Sequence, residues 1–150
     1  MTAYVHIGTP KTRTTSIQNF LHYNNHIIKK QKYRYGQSIV VRNPNEDENQ
    51  HWYLVTLYQR IKALYKNKDF NLINFLKNYP KFNTPKQEIQ KYNDFNFIFS
   101  SEGISLQISE DTEEALNIFD IIFSQLGFTQ IKYICYIRDH QSDMKVSWSL

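Results

Sequence analysis

The stretch Tyr4-Val5-His6-Ile7-Gly8-Thr9-Pro10-Lys11-Thr12-Arg13-Thr14-Thr15-Ser16-Ile17-Gln18 decides how this chain is read. Tyr4 to Ile7 is a short apolar strand. Gly8 and Pro10 break it, and from Thr14 to about Tyr23 the apolar residues Ile17, Phe20 and Leu21 recur at helical spacing. A helix start presents unpaired backbone N–H groups and the positive end of its dipole, and both favour an anion. Lys11 adds a full positive charge, and Thr12, Thr14, Thr15 and Ser16 add hydroxyl donors. The segment therefore reads as a phosphate cradle between a strand and a helix.

The same alternation continues outward. Tyr33 to Val41 reads as holding a second strand that ends in Ser38-Ile39-Val40-Val41. Asn43-Pro44-Asn45 marks a turn, and Glu46-Asp47-Glu48 leads into a helix from about Gln50 to Tyr65, with Trp52, Leu54, Val55, Tyr58, Ile61 and Leu64 on its apolar face. Phe70 to Tyr79 and Thr84 to Tyr92 read as helices, the first ended by Pro80 and the second carrying Pro85 in its first turn. Phe95 to Phe99 is an aromatic strand running into Ser100-Ser101-Glu102-Gly103. Asp111-Thr112-Glu113-Glu114 opens a helix that Gly127 stops. Ile131 to Ile137 is a near-continuous apolar run, the pattern of a strand buried on both faces of a parallel sheet, and Arg138-Asp139-His140 follows it. Strands alternating with helices predict one α/β domain over residues 1–150, a three-layer α/β/α fold with a mostly parallel central sheet. Ligands of such sheets gather beyond the carboxyl ends of strands. Gly8 to Ser16, Ser100 to Gly103 and the segment from Arg138 onward all fall there, so they read as one site.

Composition narrows the function classes. A chain of 150 residues with 41% hydrophobic content can bury a core, and its net charge of +4 suits an anionic ligand without pointing to nucleic acid. The basic run Lys29-Lys30-Gln31-Lys32-Tyr33-Arg34 reads as the solvated end of a helix. The single cysteine, Cys135, lies in the apolar run and reads as a buried inert thiol. Without a partner for a disulfide the chain reads as cytoplasmic. No apolar run approaches the length of a membrane span. His22, His26 and His51 show no zinc-ligand spacing, so no metal is expected. His6 reads as packed, and His51, at a helix start, is a secondary candidate for acid/base work.

The order Gly8-Thr9-Pro10-Lys11-Thr12-Arg13-Thr14-Thr15 is not a Walker A sequence, which places its lysine after a second glycine. It resembles the 5′-phosphosulfate loop of sulfotransferases that use 3′-phosphoadenosine 5′-phosphosulfate (PAPS), whose usual form is Pro-Lys-x-Gly-Thr-Thr. The resemblance implies a P-loop NTPase-like sulfotransferase topology, PAPS as co-substrate and 3′-phosphoadenosine 5′-phosphate (PAP) as product. It implies an acceptor that is a glycan, a lipid headgroup or a small metabolite. It assigns the 5′-phosphosulfate to Lys11, Thr12, Arg13, Thr14, Thr15 and Ser16, catalysis to Lys11 with Glu102 as the base, and the 3′-phosphate to Arg138 and Ser147. Ser147 lies one residue further from Arg138 than the family's spacing. Arg13 stands where the family has glycine. There it strains the loop, fills the pocket or adds a phosphate contact.

Members of that family are longer and continue into further helices and a late basic loop. The resemblance therefore implies an incomplete domain, with uncovered apolar faces inviting self-association. Two other readings stay open at this point: a non-catalytic relative that binds nucleotide weakly or not at all, and a P-loop nucleotide kinase. The missing Walker A order speaks against the kinase.

Overall fold

The computed structural model describes residues 1–8, 14–36, 41–42 and 49–135. Its centre is a four-stranded, all-parallel sheet in the order β2-β5-β1-β6, built from β1 (Thr2–His6), β2 (Tyr33–Tyr35), β5 (Asn96–Ser100) and β6 (Gln130–Ile134). A separate two-stranded antiparallel pair, β3 (Val41–Arg42) and β4 (Asn49–Gln50), lies between β2 and the third helix in sequence. The helices are α1 (Thr14–Tyr23), α2 (Asn25–Ile28), α3 (Trp52–Tyr65), α4 (Leu72–Asn78), α5 (Asn83–Lys91), α6 (Glu102–Glu110) and α7 (Thr112–Leu126).

Side chains alternate across each strand. Ala3 and Val5 of β1 stand opposite Phe97 and Phe99 of β5, and this face is fully buried against Leu54, Val55, Tyr58 and Ile61 of α3 and Ile118, Phe119 and Phe123 of α7. Phe99 meets the Phe123 and Phe128 rings at 5.1 and 5.6 Å, and Tyr58 stacks on Phe119 at 5.0 Å. The opposite face carries Tyr4, Tyr35 and Ile98, and Tyr35 meets α1 through the His22 ring. Asn25 of α2 seals the outer edge of β2. Its Oδ1 accepts from Tyr35 N–H at 3.1 Å and its Nδ2 donates to Tyr35 O at 3.4 Å, in place of a neighbouring strand. The α/β class, the parallel sheet and the three layers predicted from the sequence are therefore present.

Several local expectations change. The second strand occupies Tyr33–Tyr35, the start of the predicted segment, while Ser38, Ile39 and Val40 lie outside the described residues, as do Asn43-Pro44-Asn45 and Glu46-Asp47-Glu48. Arg34 is not a solvated helix end: it is buried in β2, bonded to Glu88 at 3.1 Å and lying 3.4 Å over the Tyr92 ring. The segment after Ser101 forms a full helix, α6, with Glu102 as its first residue. The apolar run near the end is not a doubly buried strand. Among the described residues β6 is a sheet edge paired with β1 alone, its Gln130, Lys132 and Ile134 side chains are exposed, and so is Cys135. On α1 the apolar residues are split: Ile17 and Leu21 are partly buried, Phe20 is 60% exposed, and Gln18 is fully buried.

Candidate functional site

The sheet order brings two of the predicted site segments, and the strand leading to the third, to one edge. His6, the last residue of β1, stands opposite Ser100 of β5 on one side and Ile134 of β6 on the other. Backbone bonds continue past the strand ends: Ile7 N–H donates to Ile134 O at 2.9 Å, and Ser101 N–H donates to His6 O at 3.3 Å. The loop after Gly8, the Ser100-Ser101-Glu102 turn and the chain after Cys135 thus leave adjacent strands at their carboxyl ends, where open α/β sheets bind ligands.

Of the predicted cradle, Thr14 is the first residue of α1, Thr15 is half-buried and Ser16 is exposed. Lys11, Thr12, Arg13, Arg138 and Ser147 lie outside the described residues, as does the side chain of Thr14. Glu102 is described. It is the half-buried first residue of α6, where the helix dipole stabilises negative charge.

The structure describes buried polar side chains at His6, expected to be packed, at Ser100 and Ser101 of the expected site segment, and at Gln18 of α1, which the sequence did not single out as buried. Ser100 Oγ and His6 Nδ1 are 2.8 Å apart, a cross-strand bond in the interior, and burial holds the His6 ring below its usual basicity. Ser101 precedes α6 in extended conformation, yet its hydroxyl does not cap the helix. Its Oγ is fully buried with no hydrogen-bond partner among the described residues, and the same holds for both amide atoms of Gln18 on α1. Leaving such a group unsatisfied in the interior costs about 1–3 kcal/mol. A serine at a strand end and a glutamine within an amphipathic helix carry no sequence signal of burial.

His51 has a different role from the acid/base one considered for it. It is fully buried just ahead of α3. Its main-chain N–H donates to Ser100 O at 3.0 Å, its Nδ1 accepts from Ser100 N–H at 2.9 Å, and its Nε2 lies 2.7 Å from Gly36 O. An amide must donate and a carbonyl must accept, so only the neutral ring protonated at Nε2 satisfies both bonds. Tyr35 and Phe99 enclose the ring edge-on at 4.4 and 5.3 Å. Burial pushes its pKa down to about 4. His51 replaces the strand rung that β2 stops short of providing and fixes the end of β5 just before Ser101 and Glu102. Gly36 has to be glycine here, because a Cβ would lie 2.8 Å from Phe99 Cε1.

No protein-family model matches the chain, and no characterised protein or solved structure matches it either. Among the described residues no group of three His, Cys, Asp or Glu side chains is arranged to hold a metal ion. The described part offers a buried hydroxyl at Ser101 and a half-buried carboxylate, Glu102, at a helix start, beside the end of β5 that His51 holds in place.

Proposed function

We propose that this chain transfers a sulfuryl group from PAPS to a hydroxyl or amine of an acceptor. The observation that carries the reading is the place of the Gly-x-Pro-Lys-x-x-Thr-Thr order. It falls between the end of β1 at His6 and the start of α1 at Thr14, beside the strand that delivers Ser101 and Glu102. Lys11 and the loop hydroxyls hold the 5′-phosphosulfate. Arg138 and Ser147 hold the 3′-phosphate, the arginine through its planar fork. The acceptor oxygen or nitrogen attacks sulfur, the bond from sulfur to the bridging phosphate oxygen breaks, and Glu102 takes the acceptor's proton. Lys11 neutralises the charge that grows on the bridging oxygen, so PAP leaves as a stabilised anion. As in phosphoryl transfer, positioning and electrostatics supply the catalysis, and fixed cations take the part of a metal ion.

Titration calorimetry with PAP, combined with a radiolabelled sulfuryl-transfer assay on glycan, lipid-headgroup and small hydroxyl acceptors, tests this. Lys11→Ala is expected to lower transfer about a hundredfold or more, in the range seen when a transition-state donor is lost. Near-normal turnover in that variant, or a wild-type chain that ignores PAP, refutes the reading. Arg13 in the place of the family's glycine favours one second reading, a nucleotide-binding relative without transferase activity. PAP binding without transfer to any acceptor would decide for it.

A further inference from the structure

The charges of this chain are segregated along its length. The first 45 residues hold seven lysines and arginines and no aspartate or glutamate, the first acidic residue being Glu46. Part of that charge is answered within the fold: Lys32 pairs with Asp94, and Arg34 with Glu88. Lys29 and Lys30, which follow α2, make no ion pair among the described residues, and Lys30 is exposed.

The same region carries the most exposed large apolar side chains of the described residues. Phe20 is 60% exposed, Tyr23 65% and Ile27 50%. Phe20 and Tyr23 stand at i and i+3 on α1, an exposed stripe that Ile27 of α2 follows in sequence. At the junction Asn24 leaves helical geometry, its N–H donating to Phe20 O at 2.9 Å while its carbonyl accepts from Ile28 N–H at 3.2 Å. The outward turn of the stripe is built in, because the other side of this helical path is pinned. Gln18 is fully buried, and Asn25 holds both backbone groups of Tyr35 on the edge of β2. Leu21 is partly buried alongside Gln18 and Asn25, while Phe20, Tyr23 and Ile27 stay exposed.

We propose that this outer face of α1 and α2 docks on an anionic membrane surface. Phe20, Tyr23 and Ile27 enter the boundary between headgroups and acyl chains, and Lys29 and Lys30 meet the headgroup charge. Interfacial helices combine an exposed aromatic and aliphatic stripe with cations in this way. Among the described residues no helix is long and apolar enough to cross a membrane, so the attachment is peripheral. A symmetric pairing of two copies through this face is disfavoured, since it sets Lys29 and Lys30 against the same lysines of the other copy. Nucleic acid is disfavoured because the centre of the face is apolar and, among the described residues, Lys29 and Lys30 are the cations beside it that make no ion pair. The inference is independent of sulfuryl transfer and uses none of its residues.

Co-sedimentation of the full chain with phosphatidylcholine vesicles, with and without phosphatidylglycerol, is the test. Binding is expected only to the vesicles containing phosphatidylglycerol and is expected to weaken as salt is raised. Lys29→Gln with Lys30→Gln should lower the partition coefficient about thirtyfold, the loss of two cations at a charged surface. Phe20→Ser with Tyr23→Ser should lower it about tenfold or more through lost insertion. Both pairs are solvent-exposed or nearly so, and far-ultraviolet circular dichroism checks that the fold survives. Leu106→Ser, an exposed apolar change on α6, should have no effect. Failure to bind anionic vesicles, or binding that ignores both double variants, overturns the proposal. So does a dimer in sedimentation velocity that Phe20→Ser with Tyr23→Ser dissociates, which would assign the face to a second copy. Preferential capture of a single-stranded oligonucleotide through Lys29 and Lys30 would overturn it as well.

Discussion

At His51 an N–H has to point at Gly36 and a lone pair at Ser100, and that requirement ties folding to pH. The ring's pKa falls from an ordinary 6.5 to about 4 because burial penalises its charged form. Between these values the unfolded chain binds a proton that the folded chain does not. The stability is therefore fully present above 6.5 and drains away as pH falls toward about 4. At about 1.4 kcal/mol per pH unit the loss comes to roughly 3 kcal/mol. His6, lowered in the same direction by burial, adds to it. Urea unfolding at about pH 7.5 and about pH 4.5 measures the effect, and His51→Asn isolates it, because an amide oxygen accepts from Ser100 N–H yet does not titrate. Wild type and variant losing stability equally over that range would rule out the neutral clamp. The sequence shows a histidine at a helix start, which is as compatible with a catalytic base as with a clamp. What separates them is that β2 ends at Tyr35 and leaves Ser100 unpaired on its β2 side, a matter of register between segments distant in sequence.

Elements were legible where their ends are written in local chemistry. Asp111 Oδ1 accepts from Glu114 N–H at 3.2 Å. Gly127, at a φ of 106°, ends α7 with bonds from its own N–H to Ser124 O and from Phe128 N–H to Phe123 O, the Schellman arrangement. Both residues were readable as cap and stop because each does its work within a few positions of the helix. The extent of α6 was not legible: Glu102–Glu110 contains Gly103, Ser105 and Ser109, and the hydroxyl of Ser101 just ahead of it makes no capping bond. These two helix starts give opposite expectations. Asp111→Ala should lower stability by about 1 kcal/mol, the usual worth of a working cap. Ser101→Ala should leave the melting temperature unchanged or raise it, because it removes a buried hydroxyl that has no partner among the described residues. A melting-temperature drop in Ser101→Ala as large as that in Asp111→Ala would show that Ser101 Oγ is bonded in the folded chain. α1 was read with the right limits, and of its periodic apolar residues Ile17 and Leu21 are partly buried while Phe20 is exposed.

On the scale of the whole molecule, the apolar run ending at Cys135 shows why a fold class is easier to read than a strand's place in it. A run such as Ile131 to Ile137 signals double burial only where a sheet continues past the strand and helices cover both faces. Here β1 and β5 hold the centre, and β6 pairs on one side with β1 among the described residues. Its outward residues meet solvent, with Lys132 resting over the Tyr4 ring at 5.6 Å. Cys135, just past the strand end, is exposed in consequence. The reactivity of this thiol therefore reports the rank of β6 within the sheet. A buried cysteine released only by global unfolding is protected by the full stability of a domain, which slows labelling by a thousandfold or more at about 5 kcal/mol. An exposed one reacts at nearly its unfolded rate. Labelling with an aromatic disulfide reagent in native buffer and in urea should differ less than about tenfold for this chain, with one equivalent consumed in both, since it has a single cysteine. Strong protection in native buffer would mean that β6 lies inside the fold, and the sheet edge would have to be placed elsewhere.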